Sequence, residues 1–125
     1  MRPTAAGTIL DSSALIALPR SIFAQTVLSF SVRERRPLVI PATSLYTAVL
    51  AGADPEDFDA DGFTVVPLSQ PIVPGVALVA QTAHAPIGAD TAQVVWEAQV
   101  TGYPVLTDNP DQYAAVTVPI DLEVI

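Results

Sequence analysis

Short apolar runs alternate with longer stretches of helical spacing along this chain. The runs have the length, the β-branched content and the flanking Gly, Pro or Asp that are typical of buried strands. They predict strands at residues 7–11, 37–40, 63–67, 103–107 and 116–124. Apolar positions three or four residues apart predict helices between them, at residues 14–18, about 20–32, 45–49, 72–80 and 92–96.

Polar residues and one glycine indicate where several of these helices begin and end. Asp11 stands before the first helix, and Thr43 or Ser44 is expected to cap the third. Asn109 precedes a proline, as an N-cap residue does before the first position of a helix, so a short helix is expected there. Gly102 is expected to end the fifth helix, because glycine accepts the left-handed conformation at that position without strain.

The alternation of strands and helices predicts a three-layer α/β/α sandwich with a mostly parallel central sheet of about five strands. Crossovers between parallel strands are right-handed, so their helices cover both faces of the sheet. A chain of 125 residues fits a single domain, residues 1–125. Ligands of such sheets bind beyond the carboxyl ends of the strands, where the strand order reverses. Asp11, after the first strand, and residues 107–109, after the fourth, are therefore the first candidates for a site.

The composition indicates that part of the surface is covered by another protein. Half of the residues are hydrophobic and 14% are charged, so a partner or a second copy is expected, and with it a homo-oligomer. No apolar run reaches the roughly 18 residues of a spanning helix, so no membrane contact is expected. Asp11 interrupts the first apolar segment, which argues against a signal peptide and favours a cytoplasmic location.

The residue types that this chain lacks exclude several kinds of catalytic and metal-binding site. The chain has no Cys and one His, and each of its five Lys or Arg positions is Arg. These absences exclude a thiolate nucleophile, a closed Cys/His zinc site, a P-loop lysine and a Schiff base. Chemistry carried out by carboxylates remains. The net charge of −8 argues against binding nucleic acid by charge alone. Arg33, Arg35 and Arg36 are typical either of a solvated helix end or of a patch for RNA or a partner.

Three segments together resemble the motifs of the PIN domain family, to which the VapC-type toxin ribonucleases belong. Residues 9–15 read Ile-Leu-Asp-Ser-Ser-Ala-Leu, which is similar to the first motif. Residues 90–107 carry an acid, a helix, Gly-Tyr-Pro and a strand ending in Thr, which resembles the third. Residues 107–111 read Thr-Asp-Asn-Pro-Asp, which resembles the fourth. The resemblance covers nearly the whole chain and implies a PIN-like form of the predicted sheet.

The resemblance also implies a cluster of four acids that holds Mg²⁺ or Mn²⁺. Hard divalent cations prefer oxygen ligands, and several carboxylates offset the cost of removing water from the ion. Asp11 and Asp90 match the first and third acids, whereas Thr47 stands at the second position and Asn109 at the fourth. Asp108, one residue before Asn109, is the candidate replacement for the fourth acid. With two of the four acids neutral, weak metal binding is expected.

Two functional classes fit these residues, and the first is a metal-dependent ribonuclease. In that class Asp11, Asp90 and Asp108 hold the cation and activate water for hydrolysis of an RNA phosphodiester. The polar residues that complete the cofactor site are Ser13, Thr107 and Asn109.

The second class is a catalytically inactive PIN-like module that binds an antitoxin-like protein or a second copy of itself. The neutral residues Thr47 and Asn109 and the net charge favour this class, whereas the order of the motifs favours the ribonuclease. Each polar residue also has a structural interpretation, because Asp11, Asp90 and Asn109 all suit the N-termini of helices.

Overall fold

The helices and strands follow the predicted order. A computed structural model describes residues 6–60 and 62–125, within which five strands and five α-helices are found. The strands are β1 (Thr8–Leu10), β2 (Leu38–Pro41), β3 (Phe63–Val66), β4 (Val105–Thr107) and β5 (Leu122–Val124). The helices are α1 (Ser12–Ala17), α2 (Ile22–Arg33), α3 (Ala42–Leu50), α4 (Val73–Thr82) and α5 (Ala89–Thr101). Short 3-10 turns lie at Leu18–Arg20, Pro55–Phe58, Gln70–Ile72 and Pro110–Tyr113.

The strands that the structure describes form one sheet in the order β3-β2-β1-β4-β5, and every neighbouring pair is parallel. β1 lies at the centre, where Ile9 is level with Val39 on one side and with Val105 on the other. The chain builds the sheet outward from β1 to β3 and then adds β4 and β5 on the opposite side of β1. The strand order therefore reverses between β1 and β4, and the predicted α/β/α class is confirmed.

Helices cover both faces of the sheet. Consecutive residues of a strand point to opposite faces, and Ile9 and Leu10 accordingly belong to two different hydrophobic clusters. The cluster around Ile9 contains Val94 and Val95 of α5, whereas the cluster around Leu10 contains Leu15 of α1. Buried residues on both sides are what an all-parallel sheet requires, because neither of its faces can be left to water.

Pro19 separates α1 from α2, as the sequence predicts. It lies in a 3-10 turn, and the helical segments Ser12–Arg20 and Ile22–Arg33 meet there at a bend of 100°. Ser21 caps α2, since its Oγ accepts a hydrogen bond of 3.1 Å from the backbone N–H of Ala24. Among the described residues no single helix is long and apolar enough to cross a membrane, and this bent pair has that length and composition only when both parts are taken together.

α3 begins earlier than its polar residues predict. It starts directly after Pro41, and over the described residues no side chain caps it. The prediction that Thr43 or Ser44 would cap this helix was therefore wrong. The hydroxyl of Thr43 donates instead to the side chain of Gln93, while the Ser44 hydroxyl is buried without a hydrogen-bond partner among the described residues.

The C-terminal third confirms one expectation and corrects another. Gly102 ends α5 in the left-handed conformation, with a φ of 73°. The final strand is shorter than residues 116–124, because it is limited to Leu122–Val124 at the edge of the sheet. Pro119, which has no N–H to donate to a ladder, lies outside that strand.

Candidate functional site

The candidate site lies at the carboxyl edge of the sheet, where β1 and β4 end side by side. Asp11 directly follows β1, and Thr107 is the last residue of β4. The residues after them begin α1 and the 3-10 turn Pro110–Tyr113. In other parallel sheets, ligands bind at such a reversal of strand order.

Asp11 is fully enclosed at this edge, with 0% of its surface exposed. Its Oδ1 accepts hydrogen bonds of 2.7 Å from Ser13 Oγ and 2.9 Å from the backbone N–H of Ala14, so Asp11 also caps α1. Its Oδ2 accepts a hydrogen bond of 2.7 Å from the hydroxyl of Tyr113. Hydrogen bonds to a carboxylate are short and strong, and here they stabilise a charge that has left water.

Ser13 and Thr107 connect the start of α1 to the end of β4. Their hydroxyl oxygens lie 3.2 Å apart, and the single hydrogen of Ser13 is already given to Asp11, so Thr107 is the donor. Ser13 Oγ also accepts a hydrogen bond of 2.8 Å from the backbone N–H of Asp108. Thr107 Oγ1 accepts one of 3.0 Å from the backbone N–H of Asn109. Ser13 therefore holds Asp11 directly, and the hydroxyls of Ser13 and Thr107 together hold the backbone of the turn that follows β4.

Asp108 and Asn109 take part in this network through their backbones. Both side chains are exposed to solvent. As predicted, Asn109 occupies the N-cap position before Pro110, the first residue of a short 3-10 helix, but among the described residues its side chain makes no capping hydrogen bond there. The side chains of Asp108 and Asn109 thus point toward solvent, while their backbone N–H groups donate to Ser13 and Thr107.

Asp90 and Thr47 line one pocket of about 390 Å³, beside the acidic edge. The other lining residues are Ala42, Thr43, Tyr46 and Ala89. Asp90 Oδ1 accepts a hydrogen bond of 2.9 Å from the backbone N–H of Thr91, and Thr47 Oγ1 donates one of 3.1 Å to the carbonyl of Thr43. The second and third acid positions of the resemblance thus line the same pocket, one with a hydroxyl and the other with a carboxylate.

Gln93 fixes the walls of this pocket. It is fully buried, and its Oε1 accepts hydrogen bonds from the Thr43 hydroxyl at 2.7 Å and from the Thr43 backbone N–H at 3.2 Å. Its Nε2 donates to the carbonyl of Val66 at 3.0 Å. One amide therefore joins α5 to the start of α3 and the end of β3. The sequence contained no signal for this role, since Gln93 stands among apolar residues of a predicted helix.

Tyr113 contacts the candidate site although the sequence did not predict it there. Its pKa is raised far above the usual range, first by burial, then by the charge of Asp11 and their hydrogen bond, and then by the charge of Asp90. The phenol therefore stays protonated and remains a donor to Asp11. Gln112, its neighbour, donates a hydrogen bond of 3.2 Å to the hydroxyl of Thr91, next to Asp90. The turn that carries Tyr113 thus contacts both Asp11 and Thr91, the neighbour of Asp90.

As arranged, these donors do not fit a divalent cation. Asp11 is fully buried and already accepts hydrogen bonds at both oxygens, so a cation would have to enter an enclosed site beside the Tyr113 hydroxyl. Across residues 6–60 and 62–125, no three His, Asp or Glu side chains form a group that could hold a metal ion. The Mg²⁺ or Mn²⁺ site at Asp11, Asp90 and Asp108 remains a prediction from the resemblance.

Comparison with known proteins adds no family to this geometry. No protein-family model matches the chain, and no curated protein matches it. The PIN resemblance therefore rests on the motif residues themselves.

Proposed function

We propose that this chain is a PIN-like domain that binds another protein and does not hydrolyse RNA. The observation that carries the proposal is the pair formed by Thr47 and Asp90 in one pocket. The resemblance requires carboxylates at both positions, and this chain has one carboxylate and one hydroxyl there. The loss of charge lies where the cation of a PIN nuclease would need it most.

The chemistry of divalent cations supports the same conclusion. Mg²⁺ loses its water ligands reluctantly, and negatively charged carboxylates make the replacement of those waters favourable. Thr47 supplies no charge, the Asn109 side chain is neutral and exposed, and Asp11 is buried and already accepts three hydrogen bonds from the protein. A site of this kind lacks the ligands that would hold a metal-bound water against a phosphodiester.

Exposed apolar side chains on two helices support a protein partner. On α2, Ile22 is 82% exposed, and on α3, Leu50 is 74% and Tyr46 is 68% exposed. Large apolar side chains that remain open to solvent often mark sites of protein association. The partner is an antitoxin-like protein or a second copy of the chain, and the second copy is the one to test first.

Sedimentation velocity of the purified chain tests this association. We expect the wild type to form a homo-oligomer, and Leu50→Asp to dissociate it because a charge would enter the apolar contact. Val100→Asp is the matched control, since Val100 is 63% exposed on α5, which packs against the opposite face of the sheet. A monomeric wild type at every concentration, or equal dissociation by both variants, would contradict self-association through α3.

A further inference from the structure

β3 is an edge strand, because β2 is the one strand beside it among the described residues. Leu38 of β2 donates its backbone N–H to the carbonyl of Gly62 at 3.2 Å, just before β3 begins. In a parallel ladder, alternate residues of a strand bond to the same neighbour, so Thr64 also faces β2. The backbone groups of Phe63 and Val65 therefore point away from the sheet.

These outward backbone groups are open to a partner. Thr64 is exposed and Val65 is 42% exposed, so this part of the edge is in contact with solvent. The N–H of Phe63 makes a long hydrogen bond of 3.4 Å to the carbonyl of Ala60 in the preceding turn. Among the described residues, the carbonyl of Phe63 and both backbone groups of Val65 have no hydrogen-bond partner. An edge of this kind is a template for pairing with another strand.

The two edges of the sheet differ in charge. β5, at the other edge, contains Glu123 and directly follows Asp121. Residues 62–70, which include β3, carry no charged side chain. Acidic side chains on an edge strand oppose its pairing with a copy of itself, whereas the Phe, Thr and Val residues of β3 favour pairing. Of the two edges, β3 is therefore the one suited to self-association.

We propose that β3 pairs antiparallel with β3 of a second copy, in a two-fold arrangement centred on Thr64. Thr64 then lies opposite its counterpart, and the N–H of Val65 in each copy donates to the Phe63 carbonyl of the other. The N–H of Phe63 exchanges its long bond for one to the Val65 carbonyl of the other copy. The pairing ends before Pro67, which has no N–H to donate. The inference rests on the proposed function in taking a second copy as the partner, and it names a surface separate from α3.

The acidic loop before β3 selects the antiparallel orientation. Glu56, Asp57 and Asp59 are exposed in this loop. A parallel pair would place the loops of the two copies side by side, where like charges repel. The antiparallel pair places each loop beside the uncharged residues that follow Pro67 in the other copy. Because β3 has four residues, the contact is small and a weak dimer is expected, so the test has to trap it.

Disulfide trapping tests this pairing, because the chain has no Cys of its own. In the proposed register, the Cα atoms of the two Thr64 residues lie about 4.5 Å apart, within the range of a disulfide. Val65→Cys is the matched control, since Val65 is also exposed but lies more than about 7 Å from its counterpart, which is too far for a disulfide. With diamide as the oxidant, Thr64→Cys is expected to form at least about fivefold more disulfide-linked dimer than Val65→Cys.

Thr64→Cys combined with Val65→Pro shows whether the backbone carries the contact. Proline is tolerated at an edge position whose N–H faces solvent, so the chain is expected to stay folded by circular dichroism. The trapped dimer is expected to fall to the level of Val65→Cys, because the N–H that donates to the second copy is gone. Equal trapping of Thr64→Cys and Val65→Cys, or no loss of dimer in a folded Val65→Pro variant, would overturn the proposal. If the proline variant does not fold, the comparison of the two Cys variants decides alone.

Leu50→Asp separates this result from the test of the proposed function. Trapping of Thr64→Cys that persists when Leu50→Asp is added supports pairing through β3, whatever happens at α3. Dissociation of the wild type by Leu50→Asp, together with no trapped dimer in Thr64→Cys, would support association through α3 and overturn pairing through β3. A wild type that sediments as a monomer, with strong trapping of Thr64→Cys, would contradict the α3 contact and support the β3 pair.

Discussion

The hydroxyl of Tyr113 donates a hydrogen bond of 2.7 Å to Oδ2 of Asp11 across 102 residues of sequence. The bond joins the connection between β4 and β5 to the junction between β1 and α1. It places a neutral donor where an acidic metal site would need an open position. Several measurable consequences follow from this closed arrangement.

Asp11 should be important for stability. Asp11→Ala removes the acceptor for Ser13, Ala14 and Tyr113 together, and leaves buried donors without partners. We expect a loss of about 3 kcal/mol in the free energy of unfolding, measured by urea denaturation. Asp108→Ala is the control, because its side chain is exposed, and it should cost less than about 0.5 kcal/mol. Similar losses for both variants would show that the network around Asp11 contributes little.

Returning the two missing carboxylates should raise the affinity for metal. Thr47→Glu adds a second carboxylate to the pocket that Asp90 lines, and Asn109→Asp adds a further acid after β4. We expect the double variant to bind Mn²⁺ at least about tenfold more tightly than the wild type, by titration calorimetry.

Both changes should be needed, since the ligands of one cation act together. Thr26→Glu is a matched control for the first change, because Thr26 and Thr47 both donate a hydrogen bond to the carbonyl four residues earlier. An equal gain from Thr26→Glu would mean that added charge alone, away from the site, explains the binding.

Glu97 should make the stability depend on pH. It is buried on α5, and burial raises its pKa, while a hydrogen bond with Gln93 opposes the rise. A folded-state pKa above the unfolded value means that this group contributes stability below the unfolded pKa, about 4.3, and that the contribution is lost as the pH rises through the folded pKa. Glu97→Gln should therefore lose less stability than the wild type as the pH rises above that range.

Urea denaturation at a series of pH values measures this difference. Glu34→Gln, at an exposed position, is the control. A wild type whose stability varies with pH in the same way as that of Glu97→Gln would show that Glu97 titrates normally.

The parts of the fold that depend on local pattern could be predicted from the sequence. Ile9 and its neighbours form an apolar run that is too short for a helix, so a strand is predicted there. The carboxyl ends of parallel strands lie at one edge of a sheet, so Asp11 and Thr107 are predicted to lie near each other. The partner of Asp11 could not be predicted, because Tyr113 reaches it through the conformation of a turn. The hydrogen bond from Thr43 to Gln93 could not be predicted either, because Gln93 lies on a distant helix. The local sequence alone therefore predicts, wrongly, that Thr43 caps α3.

We infer that this chain does not hydrolyse RNA, because Asp11 at the carboxyl edge of the sheet is buried and hydrogen-bonded to Tyr113. The most direct measurement is cleavage of structured and single-stranded RNA by the wild type in Mn²⁺, with Asp11→Asn as the blank and a metal-dependent ribonuclease as the positive control. The account predicts that the wild type cleaves no faster than Asp11→Asn. Cleavage that requires Mn²⁺ and disappears in Asp11→Asn would contradict it and establish the ribonuclease instead.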